Sequence, residues 1–582
     1  MIFNETRKEF EGDITFVLFP FLKQCKVNPQ ALGESIGNVL VEKIDFVESF
    51  NIVKGFLNIK FEDSFWLKAF HEFDPNKKYS FDASKILVEF SSPNTNKPLH
   101  LGHIRNILLG WSTSKILEEA GRDVIKTQII NDRGIAICKS MLAWKMFSDG
   151  VTPKDVDQKS DHFVGDYYVK FEQKFKEEYA VWQQTAEAQD LFSKSDKEEQ
   201  ETFFKSYKNK YFNEYSALGK QAKTMLLKWE DEDQEIRDLW KQMNQWVYNG
   251  FEETYKNLQV TFDSYYYESN TYKLGKNLII DGLAEGIFYK KEDSSVWIDL
   301  EDAGLDQKLV LRSDGTSVYM TQDIGTARLR YKDTKADGMV YVVADEQNYH
   351  FEALFAIMKK LGESYSNNLH HLSYGMVDLT TGKMKSREGT VVDADDLMTD
   401  VIKTAKQNAV ERGETESITE VEREEIYRKI GLGALKFFIL KVNPKRRMVF
   451  DPSDSLDMQG TTGPYIQNAY VRVQSINRKA KDFELTSANN YSDPQEIELE
   501  LIKNLLTYPD KLEKAANDLD PSVIAMYCYD IAKLYHKFYN DVRILGAEQE
   551  DAKAFRIKLG MKTAQLLEKG FNLLGIEMPD RM

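Results

Sequence analysis

Apolar positions along this chain change their spacing in blocks, and the blocks predict its elements. "GFLNIKFE", from Gly55 to Glu62, alternates apolar and polar residues like a strand with one buried face. "DITFVLFPFLKQ", just before it, is strongly apolar, so residues 1 to about 80 mix strand-like and helix-like patterns. Residues about 84–145 read strand, loop, helix, strand, helix, with "KILVEF" and "VIKTQII" as the strands. Residues about 146–262 carry helical periodicity and many charged and aromatic residues, with few Gly or Pro, and read as a helical insertion. An alternating αβ pattern returns with "SSVWIDL", "KLVLRS", "GTSVYM" and "GMVYVVAD". From about residue 395 the pattern is helical, broken once by the loop-rich "NPKRRMVFDPSDSLDMQGTTGPY". An interrupted βαβ pattern followed by helices predicts an α/β chain: a parallel sheet split by an insertion, then an all-α region.

Composition narrows this picture. At 582 residues the chain is too long for one core, and 42% hydrophobic residues suffice for several. A formal net charge of -16 argues against non-specific coating of nucleic acid, though not against a local basic groove. Three scattered cysteines form neither a disulfide framework nor a CxxC zinc site, which fits a reducing cytoplasm. No signal peptide opens the sequence, and no apolar run reaches the roughly 18 residues needed to span a membrane.

The chemistry concentrates in "SSPNTNKPLHLGHIRN", residues 91–106. A helix beginning near His100 buries Ile104, Ile107, Leu108 and Trp111, which places His100 and His103 in its first turn. Such a turn has unpaired backbone N–H groups and the positive end of the helix dipole, so it attracts phosphate. Gly102 leaves room for a nucleotide against the backbone. The bland alternative is a pair of ordinary solvated histidines; the position at a strand-to-helix crossing disfavours it.

HxGH after an apolar strand resembles the first signature of class I aminoacyl-tRNA synthetases. "TGKMKSREGTVV", residues 381–392, resembles their second, KMSKS-type signature. "EFSSPNTNKPLHLGH", "FVGDYYVKFE", "YYYES", "GPYIQNAYVRVQSI" and the closing "FNLLGIEMPDRM" are narrower and resemble the arginyl-tRNA synthetase family from end to end. The resemblance implies a Rossmann-like parallel nucleotide-binding sheet with a helical insertion, an α+β N-terminal domain over 1–82 that contacts the tRNA elbow, and a catalytic domain over 83–395. A helical stem-contact region over 396–459 and an all-α anticodon-binding domain over 460–582 would complete it. It implies ATP-dependent activation of L-arginine and transfer to its tRNA, by a cytoplasmic monomer, with Mg2+ carried on ATP and no zinc. Members of the family typically activate arginine only with tRNA bound.

Carried over residue by residue, the resemblance assigns ATP to His100, Gly102, His103, Lys383 and Met384. It assigns arginine to Ser92, Pro93, Asn94, His103, Tyr319, Asp323 and Gln347, with Glu89 a further candidate. A guanidinium needs planar carboxylate partners, and Tyr319 and Asp323 share a face if their segment is helical. Alone, Asp323 reads as a helix-surface carboxylate and Glu89 as an outward strand position. Lys445, Arg446 and Arg447 form the densest basic cluster, suited to tRNA phosphates, while Tyr465, Tyr470 and Arg472 could stack on unpaired bases. The second signature departs from its pattern: Ser386 stands where its last lysine belongs. Lys385 or Lys97 must then supply the missing cation; otherwise Lys97 only meets solvent or tRNA. Two other readings remain at this point, a small-molecule adenylyltransferase and a non-catalytic synthetase-like RNA-binding protein.

Overall fold

The computed structural model describes residues 3–7, 9–197, 199–379, 392–411 and 418–582. Its centre is a five-stranded, wholly parallel sheet of β1 (Lys85–Glu89), β2 (Asp123–Ile130), β3 (Ser264–Tyr267), β4 (Gly338–Ala344) and β5 (Leu369–Tyr374), in the order β5-β4-β1-β2-β3. The chain leaves β1 towards β2 on one side and returns through β4 on the other. The strand order therefore reverses between β1 and β4, where a crevice opens at the carboxyl ends of parallel strands.

Two of these strands were not legible as such. β3 is the tyrosine run "SYYY", and β5 carries two histidines, so neither looks like a buried parallel strand. Conversely, "SSVWIDL" and "KLVLRS" do not join the main sheet. Val296–Ile298 and Lys308–Leu311 pair antiparallel in a separate three-stranded sheet with Tyr289–Lys290. "GTSVYM" is not a strand: Val318 is the N-cap of a helix that begins at Tyr319.

Between β2 and β3 the helices run from Ile135 to Leu258. The last, Gln234–Leu258, is 25 residues long, or about 37 Å. The first residues form a four-stranded antiparallel sheet with three helices, Phe19–Cys25, Pro29–Lys43 and Asp63–Glu72. That block docks on the C-terminal helices: Lys503 Nζ lies 2.5 Å from Asp13, and the Phe70 and Phe555 rings meet edge-on at 5.4 Å. The loop-rich interruption contains a strand, Met448–Phe450, which pairs with Val377–Leu379.

The helix after β1, α1 (Leu101–Glu119), sits between the sheet and the helices at 420–440, 508–518 and 550–573. It is buried almost all round, which explains why its sequence lacks a polar face. Gly110 allows its close approach to the sheet, since a Cβ there would lie 2.2 Å from the Phe90 ring.

Candidate functional site

β1 ends in Glu89, and the chain then enters two consecutive left-handed residues, Ser91 (φ 75°) and Ser92 (φ 45°). Such backbone costs roughly 1–3 kcal/mol per residue and persists only where its surroundings impose it. Here Asn106 accepts from the Ser91 N–H at 2.5 Å, Asn131 Nδ2 donates to the Ser92 carbonyl at 3.1 Å, and Tyr255 OH lies 2.7 Å from Ser91 Oγ. Pro93 is buried and its carbonyl accepts from Asn131 N, while Asn94 is exposed.

His100 is the N-cap of α1. Its Nδ1 accepts from Gly102 N at 3.1 Å, and His103 Nδ1 accepts from His100 N at 3.1 Å. The two imidazoles thus form a reciprocal cap in the places that Ser/Thr and Glu usually fill. Gly102 serves this cap, since a Cβ would lie 3.0 Å from the His100 ring. Burial lowers both imidazoles, His100 to about 4 and His103 well below its ordinary value, and the Lys97 charge lowers both further. Both rings are therefore neutral at pH 7. An accepting Nδ1 places the proton on Nε2, so each ring offers one N–H donor.

The expectation of unpaired N–H groups in this turn is corrected. Leu101 N donates to Val392, Gly102 N to the His100 ring, and His103 N to the His100 carbonyl. What the turn presents to an anion is the helix dipole and two Nε2–H groups.

Lys383, Met384 and Lys385 lie outside the described residues. Both flanks of their segment are held to α1. Val392–Ala394 bonds to Leu99–Leu101, with a bridge from Asp393 to His100. On the other side, buried Arg105 donates to the carbonyls of Met376 (3.3 Å), Pro444 (3.1 Å) and Arg446 (2.7 Å). Lys445, Arg446 and Arg447 are exposed on that same loop.

Beside the His100 turn, a cavity of about 190 Å³ is lined by Lys97, His100, His162 and Asp393 among others. Among the described residues, Asp161, His162 and Asp395 have ligand-type atoms within 4.8 Å of one another. They do not suit a metal, because Lys159 Nζ already lies 2.6 Å from Asp395 and 3.2 Å from Asp161. His162 is raised to about 10 by its bonds to Asp393 and Asp395.

On the far side of the crevice, Tyr319 and Asp323 stand in α2 (Tyr319–Thr334), and Gln347 follows β4. Tyr319 and Gln347 are exposed. The Asp323 side chain is 44% exposed; the helix carries it at the crevice rim, where His350 Nε2 lies 2.6 Å away. Glu89 is buried, but its carboxylate is ion-paired with Arg330 and accepts from Ser92 Oγ at 3.0 Å. Its charge is thus already balanced.

Three groups here escaped the sequence reading. His350 pairs Asp323. Asp132 is buried after β2, where Ser269 and Tyr248 donate to it, and burial raises its carboxyl. Glu268 is pushed up to about 7, mainly by burial, with Asp132 and Asp323 raising it further against Arg133. "YYYES" was visible as a motif, but only the sheet order brings its glutamate near Asp323.

In the helical C-terminal part, Tyr470 is corrected: it is 6% exposed, packed among helices with its OH near Glu568, and cannot stack on a base. Tyr465 is half-buried against Tyr529 and His536, and Arg472 donates to His536 at 3.1 Å.

Known families match this architecture over almost the whole chain. The model for class I (R) tRNA synthetase catalytic domains matches residues 72–201 and 162–451, and that for DALR anticodon binding domains matches 466–582. An arginine–tRNA ligase of Flavobacterium psychrophilum is 50% identical across all of this chain and 96% of its own. One of Bacteroides thetaiotaomicron is 47% identical, covering 100% and 95%. The chain belongs to the arginine–tRNA ligase family. The fold agrees: arginyl-tRNA synthetase of Thermus thermophilus superposes with a TM-score of 0.78 at 24% identity, covering 100% of this chain and 96% of that one.

Proposed function

We propose that this chain, an arginine–tRNA ligase of protein synthesis, carries out both half-reactions in the crevice between β1 and β4. ATP lies over the α1 turn with Mg2+ on its phosphates. The arginine carboxylate attacks the α-phosphorus in line, and pyrophosphate leaves. The terminal ribose of the tRNA then attacks the arginyl-adenylate. Positioning and charge stabilisation carry such a reaction.

The reciprocal histidine cap carries this reading. Neutral imidazoles fixed as Nε2–H donors are ready for negative charge developing on phosphate oxygens, with no proton to lose first. Gly102 keeps the backbone low beneath the nucleotide. Lys383, Met384 and Lys385 would act from the segment between the two anchored flanks. Lys97 neutralises the leaving phosphates, which its charge beside both imidazoles supports.

Asp323 receives the arginine guanidinium, with Tyr319 and Gln347 beside it and Glu268 adding negative potential. Ser92, Pro93 and Asn94 shape the loop against the substrate. Glu89, balanced by Arg330, fixes Ser92 and contributes at most one further acceptor. Lys445, Arg446 and Arg447 meet tRNA phosphates; Tyr465 and Arg472 remain candidates near the anticodon.

We retain the division at 1–82, 83–395, 396–459 and 460–582, the first block at the tRNA elbow and the last at the anticodon. The reading calls for a cytoplasmic monomer and no zinc. Among the described residues, no helix is long and apolar enough to cross a membrane. ATP–pyrophosphate exchange with arginine and tRNA tests the reading; absence of arginine-dependent exchange by folded protein refutes it.

A further inference from the structure

The helix Gln234–Leu258 touches the site in more places than an insertion helix needs to. Near its start and middle, Trp240 Nε1 donates to the Asp132 carbonyl at 2.6 Å, and Tyr248 OH to the Asp132 carboxylate at 3.0 Å. Near its end, Thr254 Oγ1 donates to Asp395 at 3.0 Å, and Tyr255 OH meets Ser91 Oγ at 2.7 Å and Gln128 at 3.0 Å. One rigid element thus contacts the end of β2, the exit of the second-signature segment and the strained loop after β1.

Its last carbonyl is held from outside. Lys436, on the helix Glu420–Leu440, is 2% exposed. Its Nζ donates to Leu258 O at 2.9 Å and to Gly575 O at 2.5 Å. An ammonium at the negative end of a helix dipole is favoured there, but a buried one with carbonyl partners only is a costly way to hold two segments. The charged groups facing it are Glu577 and Arg428, which pair with each other. Gln259, the left-handed cap that follows Leu258, also donates to Glu577, at 2.6 Å. The chain's closing segment is thereby clamped to the end of the helix, about one turn beyond the Tyr255 that meets Ser91.

We propose that Lys436 is a positioning residue: by fixing the end of helix Gln234–Leu258 onto Gly575, it sets Tyr255 and Thr254, and through them the Ser91 loop and the exit of the second-signature segment at Asp395. This rests on the crevice being the site of arginine activation. It also makes the closing segment of the C-terminal helical region a controller of the crevice, without that segment touching substrate.

The test is a double-mutant cycle in the full-length enzyme. Lys436→Met keeps length and removes both donors; Tyr255→Phe removes only the hydroxyl. Lys436→Met is expected to lower the kcat of arginine-dependent ATP–pyrophosphate exchange, measured with tRNA present, by roughly 2- to 30-fold, the range of indirect coupling energies. The dissociation constant for tRNA should stay within about twofold, because Lys436 is buried and touches no surface. The double variant should be no slower than Lys436→Met alone, and Lys436→Gln, whose shorter, uncharged amide still carries N–H donors for these carbonyls, should recover part of the rate. Faster hydrogen exchange of the Ser91 amide in Lys436→Met would support the same link without reference to activity. Independent, multiplicative losses in the double variant would overturn the proposal, as would a normal kcat in folded Lys436→Met. If Lys436→Met fails to fold, Lys436→Gln replaces it in the cycle, with the same outcomes deciding. Absence of arginine-dependent exchange in the unmutated enzyme with tRNA present would instead sink the functional reading on which the proposal rests.

Discussion

Asp323→Ala should cripple arginine use while sparing tRNA binding, and the structure sets the size of the effect. A fully buried ion pair that loses one partner costs roughly 3–5 kcal/mol. Asp323 does not start buried: its side chain is 44% exposed, with His350 as hydrogen-bond partner at 2.6 Å. Its worth to the substrate is closer to one or two charge-assisted hydrogen bonds, each about 1.5–3 kcal/mol, offset by release of His350. A loss of about 2–4 kcal/mol follows, or roughly 30- to 1000-fold in kcat/KM for arginine at about 1.4 kcal/mol per decade. Asp323→Asn, which keeps an acceptor but not the charge, should fall between the two. The assay is ATP–pyrophosphate exchange with saturating tRNA over a range of arginine concentrations, with tRNA affinity measured by filter binding. The effect should appear mainly in KM, since the guanidinium is remote from the reacting carboxylate. Normal kcat/KM at low arginine in Asp323→Ala would refute the assignment of the acidic side of the crevice.

Lys97→Ala should lower the single-turnover rate of adenylate formation by roughly 10²–10³ at saturating substrates, as loss of a preorganised partner for developing charge does, and Lys385→Ala should lower it less; the reverse order would mean that the second-signature lysine carries the role. His162 is raised from 6.5 to about 10 by Asp393 and Asp395, so the stabilisation it gives is complete below pH 6.5 and lost as pH rises through 10. The gap in unfolding free energy between wild type and His162→Gln, from urea titrations, should therefore shrink between those pH values, and a constant gap would contradict the ion-pair assignment. Arg105→Met leaves the carbonyls of Met376, Pro444 and Arg446 without their buried donor and should cost roughly 3 kcal/mol or more, read as a lower urea midpoint with unchanged slope; an unshifted midpoint would remove Arg105 as the anchor of that flank.

How much could be read from the sequence differs by element, for physical reasons. β1, β2 and β4 were legible because strands covered on both faces are continuous apolar runs, as in "KILVEF" and "GMVYVVA". β3 and β5 carry tyrosines and histidines and sit at the sheet edges, where the pattern weakens. The histidine pair was legible by spacing, but its reciprocal cap was not. That cap depends on the extended backbone of His100, φ -138° and ψ 174°, which no side-chain pattern reveals. Arg105 looked like one more polar residue on a helix, yet it is 1% exposed, because its partners lie some 270 to 340 residues further along the chain. Asp323 was legible by motif but its exposure was not, since a helix position says nothing about how wide a crevice stands open above it. Tyr470 erred the opposite way: an aromatic beside an arginine suggests a base-stacking surface, but helical period turned it into the core.

Whether the neutral histidines and the acidic rim transfer the adenylyl group of ATP to arginine and to no other amino acid, with release of pyrophosphate, is decided by one measurement. ATP–pyrophosphate exchange should be run with each of the twenty amino acids in turn, with and without tRNA for arginine. Exchange is expected with arginine and with no other amino acid, and none when His100 and His103 are both replaced by alanine. Exchange with a different amino acid, or arginine exchange that survives loss of both histidines, would contradict that expectation.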